Sequence, residues 1–208
     1  CDIGVGGFYG VRQYTYRNTV TLPAQCSDWV FSFVNNARND AITNINPTSV
    51  QMYVEARLNN TLAGGNNSPF FTNVPATIIY TNQTFCYNHG AVDSDGDSLV
   101  YSLYTPLKTA TNTVTYNGPF TASQPLTSVP PVTFDAVTGD MCMTPTMIEI
   151  TVMGVLVQEY RLGMLIGSVM RDIQIATTNG TDNYPYDNGI NGTNIYSATI
   201  CEGSPYTF

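Results

Sequence analysis

No stretch of this chain repeats its apolar residues at the helical period. Short β-branched and aromatic runs alternate instead with Gly, Pro and Asn along its length. That pattern excludes helical bundles and doubly wound α/β folds, and it predicts an all-β protein built of β-sandwich layers. The expected strands include Trp29–Val34, Ala41–Ile45, Val50–Leu58, Ala76–Tyr80, Thr84–Asn88, Leu99–Leu103, Thr113–Tyr116, Val132–Phe134 and Met141–Thr144. Ile148–Tyr160 and Leu165–Ala176 read as a long hairpin turned at Leu162-Gly163. In the run from Val50, Met52, Val54, Ala56 and Leu58 share one face and Tyr53, Glu55 and Arg57 the other, as in a half-buried strand. On the last strand Arg171 falls among Val169, Ile173 and Ile175, so it must find a partner or sit at the sheet's end.

Asn59 to Ser68 holds Gly, Asn and Ser between patterned segments and reads as a linker. It divides the chain into an N-terminal β module (residues 1–65), a β-sandwich (66–177), and an extended segment or the start of a following module (178–208). The chain opens on Cys1 without Met, which suggests a trimmed product or a segment of something longer.

The stretch with most chemistry is Asp93-Ser-Asp-Gly-Asp97, followed by the strand pattern of Leu99–Tyr104. Asp93, Asp95 and Asp97 alternate about Gly96, which permits a sharp turn. Carboxylates so spaced can aim oxygens at one hard cation, and calcium is the expected ligand, with Asn66, Asn67 or Glu55 as further oxygen donors. A solvated acidic turn is the alternative reading. Glu149 and Glu159 read as solvent-facing strand charges, and His89 beside Gly90 as a structural residue.

Lys+Arg 7 against Asp+Glu 15 gives a net charge of -8, which argues against nucleic-acid partners because phosphate neutralisation needs basic side chains. No run approaches the roughly 18 apolar residues of a helical membrane span. No nucleophile elbow, HExxH, P-loop or dinucleotide fingerprint is present, so no enzyme is expected. Cysteines stand at 1, 26, 86, 142 and 201, widely spaced and without CxxC. With a single Lys, this points to disulfides and an extracellular setting. Proximity within the expected modules suggests Cys1 with Cys26 and Cys86 with Cys142, although spacing cannot fix connectivity. Cys201 is left over, either a free thiol or bonded outside this chain.

Asn67-Ser-Pro-Phe70, Asp93-Ser-Asp-Gly-Asp-Ser-Leu-Val-Tyr-Ser-Leu103 and Phe134-Asp-Ala-Val-Thr-Gly139 together resemble bacterial cadherin-like modules over about residues 66–176. Thr19-Val-Thr-Leu-Pro23, Cys26-Ser-Asp-Trp29, Ala37-Arg-Asn39, Ala41-Ile-Thr-Asn44, Phe85-Cys-Tyr-Asn-His-Gly90 and Gly167-Ser-Val-Met-Arg-Asp172 add a resemblance to modular surface proteins of the Bacteroidota. Those proteins carry gliding-motility-associated or type IX secretion sorting domains. The resemblance implies tandem Ig-like or cadherin-like modules at the cell surface, stiffened by calcium at their joints. Their partners would be neighbouring modules or copies of the same chain, joined end to end into a fibre or stalk. Tyr196, Cys201, Tyr206 and Phe208 are then the candidate intermolecular contacts, Tyr196–Phe208 acting as an opening strand that completes a neighbour's sheet. The alternative is an adhesin binding glycan or protein through Tyr-rich loops (Tyr184, Tyr186, Tyr196, Tyr206).

Overall fold

In the computed structural model, residues 14–46, 50–62, 64–75 and 77–180 are described. Every regular element among them is a β-strand: β1 (Trp29–Asn35), β2 (Met52–Leu58), β3 (Phe70–Phe71), β4 (Ile78–Tyr80), β5 (Phe85–Asn88), β6 (Ala91–Val92), β7 (Ser98–Tyr104), β8 (Thr133–Phe134), β9 (Asp140–Met143), β10 (Ile150–Arg161) and β11 (Met164–Thr178). The main sheet runs β1-β2-β11-β10-β7, antiparallel throughout, with β4 added in parallel to the far end of β11. A three-stranded sheet, β5-β9-β8, and the small pair β3-β6 complete the architecture.

The β10–β11 hairpin is its spine, and it forms where the sequence places it. Leu162 (φ 52) and Gly163 (φ 79) both take positive φ. A two-residue turn of that kind matches the right-handed twist of the flanking strands. Val155 and Val157 are wholly buried, and Met153, Ile173 and Ile175 nearly so. On one face of the sheet they pack with Tyr101 and with Met141, Met143, Phe85 and Phe134 of the smaller sheet. The opposite face carries a second core of Ile42, Ile45, Val114 and Val152. With both faces covered, β10 is a near-continuous apolar run with no clean alternation.

Several sequence expectations change. Residues 41–45 and 113–116 form no strands and make only isolated bridges, Ile45 to Tyr116 and Leu107 to Thr113. Fully buried Asn44 does a strand's work there. Its Nδ2 donates to Pro125 O (2.7 Å) and Val152 O (2.8 Å), and its Oδ1 accepts from Val152 N (3.0 Å). On β2 the alternation holds, but Tyr53 and Glu55 are the deeply buried positions, not Met52, Val54, Ala56 and Leu58. The Glu55 carboxylate is satisfied by Tyr53 Oη (2.8 Å) and Arg57 Nε (2.6 Å).

Residues on the two sides of the boundary expected at 65/66 share one hydrogen-bonded sheet, Ala56–Leu58 pairing with Gly167–Val169. A buried bidentate ion pair binds the same two regions. Arg38 donates from Nη1 and Nη2 to the two Asp172 oxygens at 2.7 and 2.6 Å, both side chains 3% exposed. Arg171 finds its partners on the other face. Its guanidinium lies 4.3 Å from the Phe71 ring centre and donates to Tyr87 Oη, Asn73 O and His89 O.

Candidate functional site

The acidic stretch folds as a turn between β6 and β7. Asp93 Oδ1 accepts from the backbone N–H of Asp95 and of Asp97, each at 2.9 Å, while Gly96 supplies the left-handed residue (φ +82). A short side chain that caps nearby N–H groups is the ordinary use of Asp in turns. The turn sits where β7 begins and β10 ends, so Arg161 comes alongside. Arg161 Nε donates to Asp97 Oδ1 (2.9 Å), and its Nη2 to Asp97 Oδ2 (2.6 Å) and Asn66 Oδ1 (2.8 Å). The Arg161 guanidinium accordingly holds the Asp97 carboxyl below its ordinary range.

The residue that completes the site is Glu159, which the sequence reading placed in solvent. It is fully buried, and neither carboxylate oxygen has a hydrogen-bond partner. Ligand atoms of Asp93, Asp97 and Glu159 all lie within 4.8 Å of one another. Glu159 shares the core face of β10 with Val155 and Val157, and that parity was the available signal for its burial. Opposite it on β11 stands Gly167, where a Cβ would fall 2.6 Å from Glu159 Oε2, so glycine leaves the carboxylate its room. Burial pushes the Glu159 carboxyl up to about 7. The Asp93 charge and the close approach of the Asp97 carboxylate, which favours a proton held between the two groups, add to the rise. The Asn66 amide pulls the other way but lies outside hydrogen-bond geometry, its own Nδ2 being buried and unpartnered.

Arg161 supplies one positive charge to a cluster of four carboxyl groups, and it leaves Glu159 and Asp93 Oδ2 without partners. A buried charge lacking a partner is costly. Three convergent carboxylates are the donor chemistry that hard, oxygen-seeking cations prefer. The residues present therefore fit a divalent cation of the calcium type, with Asp93, Asp97 and Glu159 as the groups that would hold it.

Asp95 stands outside the convergent three but still meets Arg161, whose Nη2 lies 3.4 Å from Asp95 Oδ2. Its carboxylate accepts from Asn67 N (2.7 Å) and Asn67 Nδ2 (2.9 Å), contacts that lower its pKa and tie the 59–68 connection to the turn. Of the other expected oxygen donors, Asn66 touches Arg161, and Glu55 lies in its own pairing on β2. Glu149 is also buried, contrary to the solvent-facing expectation, and accepts from Thr127 N. His89 is wholly buried, its ring edge-on to Tyr87 at 4.9 Å, with no hydrogen-bond partner on either nitrogen.

Cys86 and Cys142 form the expected disulfide, joining directly opposed residues of β5 and β9. Cys26 has a free thiol that donates to Asp28 Oδ1 at 3.0 Å. Its expected partner Cys1 lies outside the described residues, as do Tyr184, Tyr186, Tyr196, Cys201, Tyr206 and Phe208. Comparison of the chain with known protein families, curated proteins and solved structures finds no match.

Proposed function

We propose that this chain is a non-catalytic structural and interaction element of a bacterial cell surface, working in a fibre or modular stalk, and that its acidic corner takes a divalent cation of the calcium type. The observation that carries the cation is the Glu159 carboxyl, buried without a partner and aimed at Asp93 and Asp97. A cation there would fasten the end of β10 to the turn that opens β7. Through Asp95–Asn67 and Arg161–Asn66 it would fasten the 59–68 connection as well. Such a clamp stiffens a unit that must transmit pull without unravelling at its hairpin end.

The extracellular setting is supported by the Cys86–Cys142 bridge, since disulfides persist in oxidising compartments. The low Lys content and the net charge of -8 agree with it. The surface role and an Ig-like or cadherin-like character of the unit rest on the motif resemblance. Electron microscopy of the native material, with calcium and then with chelator, tests the reading. Regular fibres that loosen on chelation are the expected result. Isolated particles in both conditions would remove the assembly role.

A further inference from the structure

The place where two copies would meet is legible in β1, an inference that rests on the assembly reading and gives it a surface. β1 ends the main sheet, and its outer edge pairs with no strand among the described residues. Native edge strands are normally shortened, charged or bulged to block pairing with other chains. This one has seven residues, no charge and no bulge, and pairs with β2 in unbroken register. Among the described residues both of its faces stay partly exposed, Val30, Phe31, Phe33 and Val34 being between 40% and 47% exposed, and the ring that reaches Phe33 is Tyr16, 5.5 Å away between centres. The smaller sheet does not extend over it, and a groove of about 420 Å³ lies between Phe31 and Phe33 on one side and Pro69 and Phe71 on the other.

The order of side chains along this edge selects the occupant. Val30-Phe31-Ser32-Phe33-Val34 reads the same in both directions. An antiparallel partner related by a two-fold axis at Ser32 therefore meets like with like. Phe31 faces the partner's Phe33, Val30 faces the partner's Val34, and Ser32 faces the partner's Ser32. Aromatic and β-branched cross-strand pairs are the stabilising ones, and a two-fold interface must be self-complementary in this way. Charge favours the same site, because copies carrying -8 each repel over most of their surface while β1 adds nothing to that repulsion.

We infer that β1 is a self-recognition edge, joining two copies of this chain antiparallel about Ser32 into one continuous sheet. Area sets the strength. A Phe side chain buries roughly 200 Å² when fully covered, so at 40% and 43% exposure the two rings offer on the order of 160 Å² per copy. Stable interfaces bury about 800 Å² per partner. The pairing is accordingly weak and concentration-dependent, suited to reinforcing contacts in an array where copies are already held close.

Ser32→Cys tests the register directly, because only the two-fold pairing about residue 32 sets the new thiol against itself within disulfide reach. Mild oxidation of concentrated protein, followed by peptide mapping, is expected to give a 32–32 link between copies. Adding Phe33→Lys to Ser32→Cys is expected to reduce the link at least tenfold while the fold, followed by circular dichroism, is kept. A link from residue 32 to Cys1 or Cys201 would put another segment of the chain on this edge and overturn the inference. So would the absence of any link. Fibres that form without a 32–32 link would overturn this inference and leave the assembly reading standing, whereas isolated particles without the link would remove both.

Discussion

At the scale of single residues, the molecule holds several polar groups away from water and settles them differently. Arg38 and Asp172 satisfy one another, so removing one partner strands the other. Arg38→Met is expected to destabilise the fold by about 3–5 kcal/mol, read by urea unfolding, as for other broken buried pairs. His89 is settled by staying neutral. Burial lowers its pKa to about 4, and the nearby Arg171 charge works in the same direction. A folded pKa below the unfolded value of about 6.5 means that the unfolded chain binds the proton first. The stability that neutral His89 contributes is present above pH 6.5 and is lost as pH falls from there through 4. The His89 ring signals in NMR are expected to titrate near pH 4, and His89→Phe is expected to flatten the stability profile between pH 4 and 6.5. A midpoint near 6.5 would contradict the burial argument.

At the scale of elements, the β5–β9 bridge closes a loop spanning 56 residues. In the chain-entropy view that is worth about 4 kcal/mol. Cys86→Ser with Cys142→Ser is expected to lower stability by up to that amount, measured by denaturant unfolding under matched conditions, while the main sheet persists. Elements are also where the sequence was most and least readable. The β10–β11 hairpin was legible because Leu162-Gly163 is a local turn signal between two long apolar runs. The Cys86–Cys142 pair was legible from proximity in the expected module. Residues 41–45 were not, because their place depends on Asn44 bonding to Val152 and Pro125, contacts far off in sequence. Glu159 was missed for a related reason. Its parity with Val155 and Val157 was a signal, but in a strand covered on both faces parity alone does not settle which charge faces water. The meeting of Ala37-Arg38-Asn39 with Arg171-Asp172 was invisible too, although each fragment had been singled out on its own.

At the scale of the whole molecule, the described residues join β1 and β2 to the β10–β11 hairpin in one sheet, with a second layer over part of one face and the acidic corner at the hairpin end. The cation claim makes a quantitative expectation there. For a dissociation constant of roughly 0.1–1 mM, as in extracellular modules, 10 mM calcium adds about 1.4–2.7 kcal/mol to the folded state. In a chain of this size that corresponds to a rise of about 3–10 °C in Tm. Glu159→Gln keeps the shape of the side chain and removes its charge. Thermal unfolding of the parent chain and of Glu159→Gln, each in calcium and in chelator, therefore tests the clamp directly. The expected result is a calcium-dependent rise in the parent that disappears in Glu159→Gln. An equal rise in both, or none in the parent, would contradict it.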